Sequence, residues 1–213
     1  NIEQYLCELD AEINKPKKNF IDFWYHPCPP CNAQLSRMWG RVLNVAPRHM
    51  FVLVEIINNF IPGGDLHKIG HNTNNDRDTN NLLEKFPPHL SFLNEEARLG
   101  MIGLKSLGIP DGKPFICLAV RDSAYLHNQS PHLDWTRHNY RDGDIQNYIL
   151  AADKLTQKGY YVVRMGAIVN QSMKTDNPFI IDYATNGTRS DFMDIYLGAK
   201  CTFCISNTMG FDA

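Results

Sequence analysis

Charged side chains accompany the apolar stretches in the second half of the chain. Arg121 and Asp122 directly follow the run Phe115–Val120, and Arg164 lies in the run Tyr160–Met165. A guanidinium matches phosphate oxygens in a two-point contact, and a carboxylate can act as a general base. If both runs are strands of one parallel sheet, their carboxyl ends meet at the edge where open α/β folds bind ligands. The pattern predicts a ligand site for an anion at that edge.

Two later apolar runs end in the same way. Phe179–Tyr183 contains Asp182 near its end, and Cys201–Ile205 is followed by Ser206–Gly210. That last turn offers hydroxyls and backbone N–H groups at a predicted helix start, which is an anion-binding arrangement. Neither GxGxxG nor GxxxxGK[ST] occurs, which argues against the usual dinucleotide and P-loop sites.

The two arginines allow a structural interpretation beside the functional one. A buried arginine either pairs with a carboxylate or receives an anionic ligand, because an unpaired buried charge is costly. For Arg121 the internal partner would be Asp122 or Asp191, and a similar ion pair is open to Arg164. The functional alternative is that one or both arginines bind the diphosphate of a nucleotide.

A long loop, 123–142, follows the first of these strands. It is rich in ring and amide side chains, including Tyr125, His138 and Asn139. Long loops at strand ends are frequently functional, and this composition suits a sugar or a base. The alternative is a surface loop held by aromatic packing.

Helix signals alternate with these strands. Asn94 is the expected N-cap of a helix to Leu107 that ends at Gly108, a second helix spans Asp144–Lys158, and Ser190 caps a third. This alternation predicts an α/β fold: a Rossmann-like parallel sheet flanked by helices over residues 93–213. The chain stops soon after the last strand, where a helix would follow, so we expect truncation at the C-terminus.

Residues 1–92 form a separate N-terminal α/β segment in this prediction. Asn19–Tyr25 is expected to be a strand and Asn32–Leu43 a helix. Phe51–Ile57 is an apolar run favouring a strand, with a buried helix as the alternative. The polar passage Ile61–Asn81 is expected to be a loop or a boundary.

Two cysteine pairs have two-residue spacing. Cys28-Pro29-Pro30-Cys31 lies between a predicted strand and helix, as in thioredoxin-like oxidoreductases. That fold also needs a proline-led strand facing the motif, and Pro62 runs into glycines instead. Cys201 and Cys204 are expected on one strand, where residues three apart face opposite sides. A four-cysteine zinc site is therefore not expected, and the cysteines fit a reducing compartment.

Metal and nucleic-acid binding are not predicted either. His67 and His71 have helical spacing, but the glycine- and asparagine-rich sequence around them is not helical. The 213 residues carry a net charge of −2, so there is no basic excess for nucleic acid. No apolar run approaches the ~20 residues that span a bilayer, and the predicted location is cytoplasmic.

Five segments, taken in order, resemble a bacterial family of glycosyltransferases associated with surface-polysaccharide loci. Their order is also similar to the donor half of GT-B enzymes of the fucosyltransferase type. The segments are Val120-Arg121-Asp122-Ser123-Ala124-Tyr125-Leu126, His138-Asn139-Tyr140-Arg141-Asp142, Gly159-Tyr160-Tyr161-Val162-Val163-Arg164-Met165-Gly166, Ser190-Asp191-Phe192-Met193-Asp194-Ile195-Tyr196-Leu197 and Cys204-Ile205-Ser206-Asn207-Thr208-Met209-Gly210. The resemblance covers the second half of the chain, so residues 93–213 would be an incomplete donor domain and 1–92 a partial acceptor-side domain or linker.

The resemblance implies metal-independent transfer of a sugar from a nucleotide-sugar donor, without a cofactor, to a glycan or lipid-linked acceptor. Association with the inner face of the membrane would then arise through the acceptor. The N-terminal half is short for a full acceptor domain, so binding without turnover is an open alternative. A non-catalytic scaffold with a Rossmann-like core, and a thioredoxin-like oxidoreductase using Cys28, are the competing functions.

The resemblance also implies residue roles. Arg121 and Arg164 would neutralise the leaving diphosphate. Asp191 would contact the base or ribose, or anchor the Ser206 loop. The general base would be Asp122, Asp142 or His138, in that order. The remaining donor-binding candidates are Tyr125, Asn139, Arg141, Ser206, Asn207 and Gly210.

Overall fold

The computed structural model describes residues 2–13, 21–26, 28–69 and 78–207. The chain divides into two compact units, Asn1–Phe92 and Leu93–Ala213. In the first unit the helices are α1 (Ile2–Asp10), α2 (Ala33–Val42), α3 (Arg48–Asn58) and α4 (Leu82–Lys85), with a 3₁₀ turn at Gly64–His67. In the second unit the elements are α5 (Asn94–Ser106), β1 (Phe115–Ala119), α6 (Ala124–Gln129), α7 (Ile149–Gln157), β2 (Tyr161–Met165), β3 (Ile180–Ile181), α8 (Asp191–Lys200) and β4 (Cys204–Ser206), with 3₁₀ turns at Thr136–Arg141 and Ile145–Tyr148.

The described part of the first unit is helical apart from one parallel bridge between Trp24 and Val45. The strand predicted at Asn19–Tyr25 is therefore wrong over residues 21–25, and residues 19–20 lie outside the described part. Trp24 donates to the carbonyl of Asn44 and accepts from Ala46, both at 2.9 Å. These two bonds satisfy the backbone N–H and C=O groups of Trp24, so the pairing does not have to continue as a strand. The helix predicted at Asn32–Leu43 is confirmed, and Asn32 caps it by accepting from Leu35 N at 2.8 Å.

The apolar run Phe51–Ile57 lies in α3, so the predicted strand is wrong. Only Glu55 interrupts this run, and so short an apolar run has no period that separates helix from strand. The buried-helix alternative is wrong about burial: Leu53 is 62 % exposed and Ile57 is 61 % exposed. Helical hydrogen bonds satisfy this backbone locally, so the run needs no partner strand.

The second unit is built on a four-stranded, all-parallel sheet in the order β3-β2-β1-β4. The predicted α/β class with a parallel sheet flanked by helices is confirmed. Leu118 of β1 pairs with Arg164 of β2, and Ala119 pairs with Ser206 of β4. The chain moves outward from β1 through β2 to β3 and then returns to the other side of β1. The reversal of strand order therefore lies between β1 and β4.

Helix ends in this unit follow local signals, with small shifts. The N-cap of α5 is Leu93 instead of Asn94, and Leu93 N donates to the Glu96 carboxylate at 2.9 Å. Gly108 then adopts φ +82° just beyond the helix, a left-handed conformation that glycine tolerates. The helix predicted over 144–158 begins as the 3₁₀ turn Ile145–Tyr148 before continuing as α7.

The last two strands are shorter than predicted. Strand β3 covers Ile180–Ile181 instead of Phe179–Tyr183, and β4 begins at Cys204 instead of Cys201. Cys201 is the C-cap of α8, so the opposite-face interpretation of Cys201 and Cys204 is wrong. The prediction placed Cys201 in the strand, but α8 continues to Lys200. Residues 201–203 are then needed to turn the chain before β4 begins.

The core lies on both faces of the sheet. On one face, apolar side chains of the strands pack against α7 and the 3₁₀ turn before it; the buried set is Ile116, Leu118, Val120, Ile145, Ala152, Val162, Met173 and Ile180. Helices α5 and α8 pack against each other through two glycines of α5. A Cβ at Gly100 would overlap the Tyr196 ring, and one at Gly103 would overlap the Met193 side chain.

Cys117 of β1 and Cys201 interact inside this unit. The hydrogen bond between their thiols lowers the pKa of Cys201 to about 7 from its ordinary 9.0. The same hydrogen bond, followed by burial, raises the pKa of Cys117. Cys201 is partly exposed, and Cys117 is fully buried. Cys201 is therefore expected to be the more reactive thiol of the two, because the thiolate is the nucleophile.

Among the residues that the structure describes, no helix combines the length and the apolar character needed to cross a bilayer.

Replacing Gly100 by alanine tests the α5–α8 contact. The added methyl group must displace the buried Tyr196 ring, and overpacking costs about 1–3 kcal/mol, which exceeds the ~1 kcal/mol that alanine gains in a helix. We expect Gly100→Ala to lower the melting temperature. Gly40→Ala in α2 is the matched control, since a Cβ there has no neighbour within 4 Å. It should leave the melting temperature unchanged or raise it; a stabilising Gly100→Ala would contradict the packing.

The pH dependence of Cys201 alkylation tests the thiol pair. We expect the iodoacetamide reaction rate at Cys201, followed by mass spectrometry, to rise through an inflection near pH 7. In Cys117→Ala the inflection should move up towards pH 9, because the hydrogen bond that favours the thiolate is lost. An inflection that stays in place in Cys117→Ala would contradict this account.

Candidate functional site

A cleft of about 350 Å³ opens at the carboxyl ends of β1 and β2. This volume falls within the range of about 300–1,000 Å³ that is usual for small-molecule sites. The loop after β1, the segment before the 3₁₀ turn at 145–148 and the loop after β2 supply the walls. The lining residues are Val120, Asp122, Ser123, Asp142, Gly143, Asp144, Ile145, Arg164, Asn170 and Gln171.

Arg164 is the buried cation at the base of the cleft, with a side chain only 2 % exposed. Its Nη1 donates to the carbonyl of Gln171 at 2.6 Å and to the Asp182 carboxylate at 3.1 and 3.3 Å. Asp182 also accepts from Met173 N at 2.7 Å. The ion-pair interpretation of Arg164 is therefore the arrangement observed. The pair also connects the loop after β2 to the end of β3.

Arg121 is ion-paired as well, with a partner that the sequence did not indicate. Its Nη1 donates to Asp142 and to the carbonyl of His138 at 2.9 Å. The partners expected for an internal pair, Asp122 and Asp191, are not the ones used. Asp142 lies 21 residues along the chain, at the end of the long loop. Which acid faces Arg121 depends on the path of that loop.

Both arginines have side-chain N–H donors that bond no described residue. Each engages the protein through Nη1. Among the described residues, Nε and Nη2 of either side chain have no hydrogen-bond partner. Arg164 lines the cleft, so these donors belong to a guanidinium whose charge is already balanced by Asp182. An anion at this point would find directional donors but little net positive charge.

Asp122 organises the loops around the cleft. One carboxylate oxygen accepts from Ala124 N at 2.9 Å, and the other accepts from Asn170 N at 2.8 Å. The carboxylate thus joins the loop after β1 to the loop after β2. A second bond, from Asn170 Nδ2 to Ser123 Oγ at 3.2 Å, reinforces this connection. These bonds hold the two walls of the cleft at a fixed separation.

The crevice between β1 and β4 is occupied by Asn207. This is where the strand order reverses and where ligands are expected in such sheets. The Asn207 side chain accepts from Arg121 N at 2.5 Å and donates to the Arg141 carbonyl at 3.4 Å. A Cβ on Gly143 would lie 2.7 Å from Asn207 Nδ2, so the glycine allows this close approach. In the described residues the open cleft lies one strand over, between β1 and β2.

Three cleft residues were missed by the sequence analysis. Asp144 was read only as the start of a helix, and Asn170 and Gln171 were not considered. Asp144 Oδ1 accepts from Gln146 N at 2.9 Å and from Gln171 Nε2 at 2.7 Å. Its Oδ2 has no hydrogen-bond partner among the described residues, and the side chain is exposed in the cleft wall. The signal was available, since Asn170 and Gln171 follow the carboxyl end of a predicted strand.

The remaining candidates lie elsewhere than in the cleft lining. Asn139 and Arg141 belong to the 3₁₀ turn Thr136–Arg141, where His138 packs beside Trp135 with ring centroids 5.8 Å apart. Tyr125 lies in α6. These residues belong to the connection between β1 and residues 142–145, which line the cleft.

Two candidates lie at α8 and β4. Asp191, in the first turn of α8, is 3.1 Å from Arg189, which also pairs with Asp194 at 2.6 Å. Burial raises the pKa of Asp194 despite this arginine. Ser206 Oγ is buried without a hydrogen-bond partner in the described part of the chain. The candidate Gly210 lies outside the described residues.

The thioredoxin-like arrangement is not present in the described residues. Cys28 and Cys31 are exposed free thiols ahead of α2, but no strand precedes them and no cis peptide bond is found in the described part. Of the two loop histidines, His67 bonds Asn58 at 2.7 Å, and His71 lies outside the described residues.

The cleft and the five sequence segments are the observations from which a function must be argued. Comparisons with protein-family profiles, curated proteins and solved structures found no match for this chain. A function for this chain is therefore proposed from the chemistry of the cleft, because a fold alone does not imply a function.

Replacing Arg164 by methionine tests its structural role. Removing one partner of a buried ion pair leaves Asp182 uncompensated, and we expect the free energy of unfolding to fall by about 3 kcal/mol. Urea denaturation followed by circular dichroism would measure the change. Arg98→Met is the matched control, because the Arg98–Glu95 pair is on the surface and exposed pairs contribute little. Equal effects of the two substitutions would contradict the assignment.

Proposed function

We propose that the unit Leu93–Ala213 binds a nucleotide sugar in the cleft and takes part in glycosyl transfer. The observation that carries the proposal is the composition of the cleft: carboxylates and amides beside a buried guanidinium, at the carboxyl edge of a parallel sheet. Carboxylates and amides suit sugar hydroxyls, since each offers directional acceptors or donors. The resemblance of five ordered segments to a glycosyltransferase family supports the same chemistry.

The charge balance of the cleft favours placing the sugar inside it. The cleft is lined by three carboxylates, Asp122, Asp142 and Asp144, and by one arginine, Arg164, whose charge is shared with Asp182. Asp142 is in turn paired with Arg121. A diphosphate deep in this cleft would meet three carboxylates, and like charges at close range repel. We infer that the sugar occupies the cleft and that the diphosphate lies at its rim. There the unused donors of Arg121, which lies outside the cleft lining, would bind the phosphate oxygens as charge develops on the leaving group.

We propose Asp144 as the base that accepts the proton of the acceptor hydroxyl. Both Asp122 oxygens are held by backbone N–H groups, and Asp142 is paired with Arg121. Asp144 offers an exposed carboxylate in the cleft wall: Oδ1 accepts two hydrogen bonds, and Oδ2 has no hydrogen-bond partner among the described residues. In this step Asp144 accepts the hydroxyl proton, the acceptor oxygen bonds the anomeric carbon, and the nucleoside diphosphate leaves with the electron pair of the broken bond.

The biological setting is proposed on the resemblance alone: surface-polysaccharide biosynthesis in a bacterial cytoplasm, with a glycan or lipid-linked acceptor. A GT-B enzyme would supply the acceptor site from a second Rossmann-like domain. The described part of the first unit is helical, with one β-bridge. This observation favours a second candidate function, a nucleotide-sugar-binding protein that does not turn over by itself.

Ligand binding and donor hydrolysis separate these functions. We expect one of UDP, GDP, CDP, dTDP or CMP, or the corresponding nucleotide sugar, to raise the melting temperature without added metal. At about 100 times the dissociation constant the gain is about 2.7 kcal/mol. Arg121→Lys should weaken the shift, because lysine lacks the planar fork of donors. No shift with any of these ligands, in a folded protein, would contradict both functions.

Turnover is measured by release of the nucleotide from the sugar donor that binds. Asp144→Asn should reduce the rate at least tenfold while leaving the binding shift in place, because asparagine preserves the cap but cannot accept the proton. Asp176→Asn, at an exposed position outside the cleft, is the matched control. Binding without nucleotide release in the unmodified protein would favour the non-catalytic candidate.

A further inference from the structure

A second group of reactive side chains lies in the first unit. Glu3 and Cys7 are four residues apart on α1 and therefore share one face of the helix. His89, on the segment after α4, meets that face. One ligand atom from each of the three residues lies within 4.8 Å of the other two.

His89 is held in place by contacts with two carboxylates. Glu3 Oε1 accepts from the backbone N of His89 at 2.9 Å and lies 3.0 Å from the ring Nδ1. The other ring nitrogen, Nε2, lies 3.2 Å from the Asp10 carboxylate. In metal-binding histidines one ring nitrogen binds the ion and the other usually donates to a carboxylate, which orients the ring. For His89 the ion would be at Nδ1, and Asp10 would be the orienting carboxylate at Nε2.

Burial and charge around Cys7 favour a cation. Cys7 is 1 % exposed, and the carboxylate of Glu3 lies beside it on the same face of α1. The carboxylates of Asp10 and Asp78 also lie near enough to interact with it through their charges. A divalent cation would neutralise this excess of acid, and it would stabilise the thiolate directly.

We propose that Glu3, Cys7 and His89 bind a zinc ion, with Asp10 orienting the His89 ring. The set contains one sulfur, one nitrogen and one oxygen ligand, which suits Zn²⁺ and excludes Ca²⁺ and Mg²⁺, since these prefer oxygen ligands alone. Three protein ligands leave the fourth tetrahedral position to water or to a ligand from outside. The carboxylate of Glu3 is 23 % exposed and the His89 ring 20 % exposed, so an ion can reach the site from solvent.

The geometry requires a small contraction. Ligand atoms of a tetrahedral zinc site are about 3.3–3.6 Å apart, from bond lengths of about 2.0–2.3 Å. The three atoms here lie within 4.8 Å of one another, so side-chain rotations bring them into range. Binding replaces the thiol proton of Cys7 and any proton on His89 Nδ1, and both protons pass to solvent.

The same contacts have an explanation without metal. A doubly protonated His89 could bridge Glu3 and Asp10 as a charge-assisted pair of hydrogen bonds. This alternative gives Cys7 no role. The two explanations therefore differ in what they require of the thiol.

Cobalt is the probe, because a thiolate bound to Co²⁺ gives a charge-transfer band in the near ultraviolet. The full chain is used with Cys28→Ser and Cys31→Ser, since these two exposed thiols could bind soft metals themselves. We expect one equivalent of Co²⁺ to produce the band, Zn²⁺ to remove it by competition, and each binding event to release protons into a weakly buffered solution.

Variants in that background locate the ion. Cys7→Ser should abolish the band, and Asp10→Asn should weaken cobalt binding about 10–100-fold, as expected for an outer partner of a metal-bound histidine. Glu3→Gln, a close isostere, should weaken binding and serves if Cys7→Ser proves unfolded by circular dichroism. Cys201→Ser is the matched control and should retain the band.

Two results would overturn the proposal. One is the absence of a saturable thiolate band in the background protein at micromolar Co²⁺. The other is a band that persists in folded Cys7→Ser, or cobalt binding that is as tight in Glu3→Gln as in the background protein. Either result would leave the histidine bridge as the explanation of these contacts.

Discussion

A single buried cation, Arg164, holds the carboxyl edge of the sheet together. It lies within β2, where its neighbours in the core are apolar, and its charge is balanced by Asp182 from the end of β3. Its bond to the Gln171 carbonyl fixes the loop that forms one wall of the cleft. Removing such a charge from water is costly, so the pair stays assembled only while its hydrogen bonds are satisfied. The loops after β2 and β3 therefore cannot move independently of the sheet.

The cleft follows from this arrangement. Asp122 spans from the loop after β1 to the backbone of Asn170, next to the residue that Arg164 holds. The two walls are thus joined through carboxylates whose oxygens are largely used by the protein itself. Most of the charged side chains that the sequence suggested for catalysis are bonded to other protein groups and fix the shape of the site. Fewer of them, such as Asp144, are exposed in the cleft. Preorganised polar groups of this kind need no rearrangement when a ligand enters.

The elements of the second unit could be predicted because their signals are local. Buried parallel strands appear as continuous apolar runs, and Ser190 and Gly159 mark the helix ends through capping and a positive φ. The first unit was harder: Phe51–Ile57 carries no clear periodicity, and so short an apolar run does not by itself decide between helix and strand.

Side-chain partners were the least predictable part. Arg121 faces Asp142, and Glu3 faces His89 across 86 residues of sequence. No spacing rule links such residues, because their meeting depends on the path of the chain between them. Residue types alone identified the arginines as important, while the choice of Asp144 over Asp122 in the proposed reaction needed the hydrogen bonds of each carboxylate.

The close approach of α5 to α8 has a consequence for how this sequence can change over time. Gly100 has no side chain because the Tyr196 ring fills the space beside it. A larger residue at 100 becomes acceptable only after a smaller one has replaced the tyrosine, so the order in which the two positions mutate matters. Each single step passes through a less stable intermediate. The pair should therefore vary together among related chains, as an epistatic couple, even though neither residue lies near the cleft.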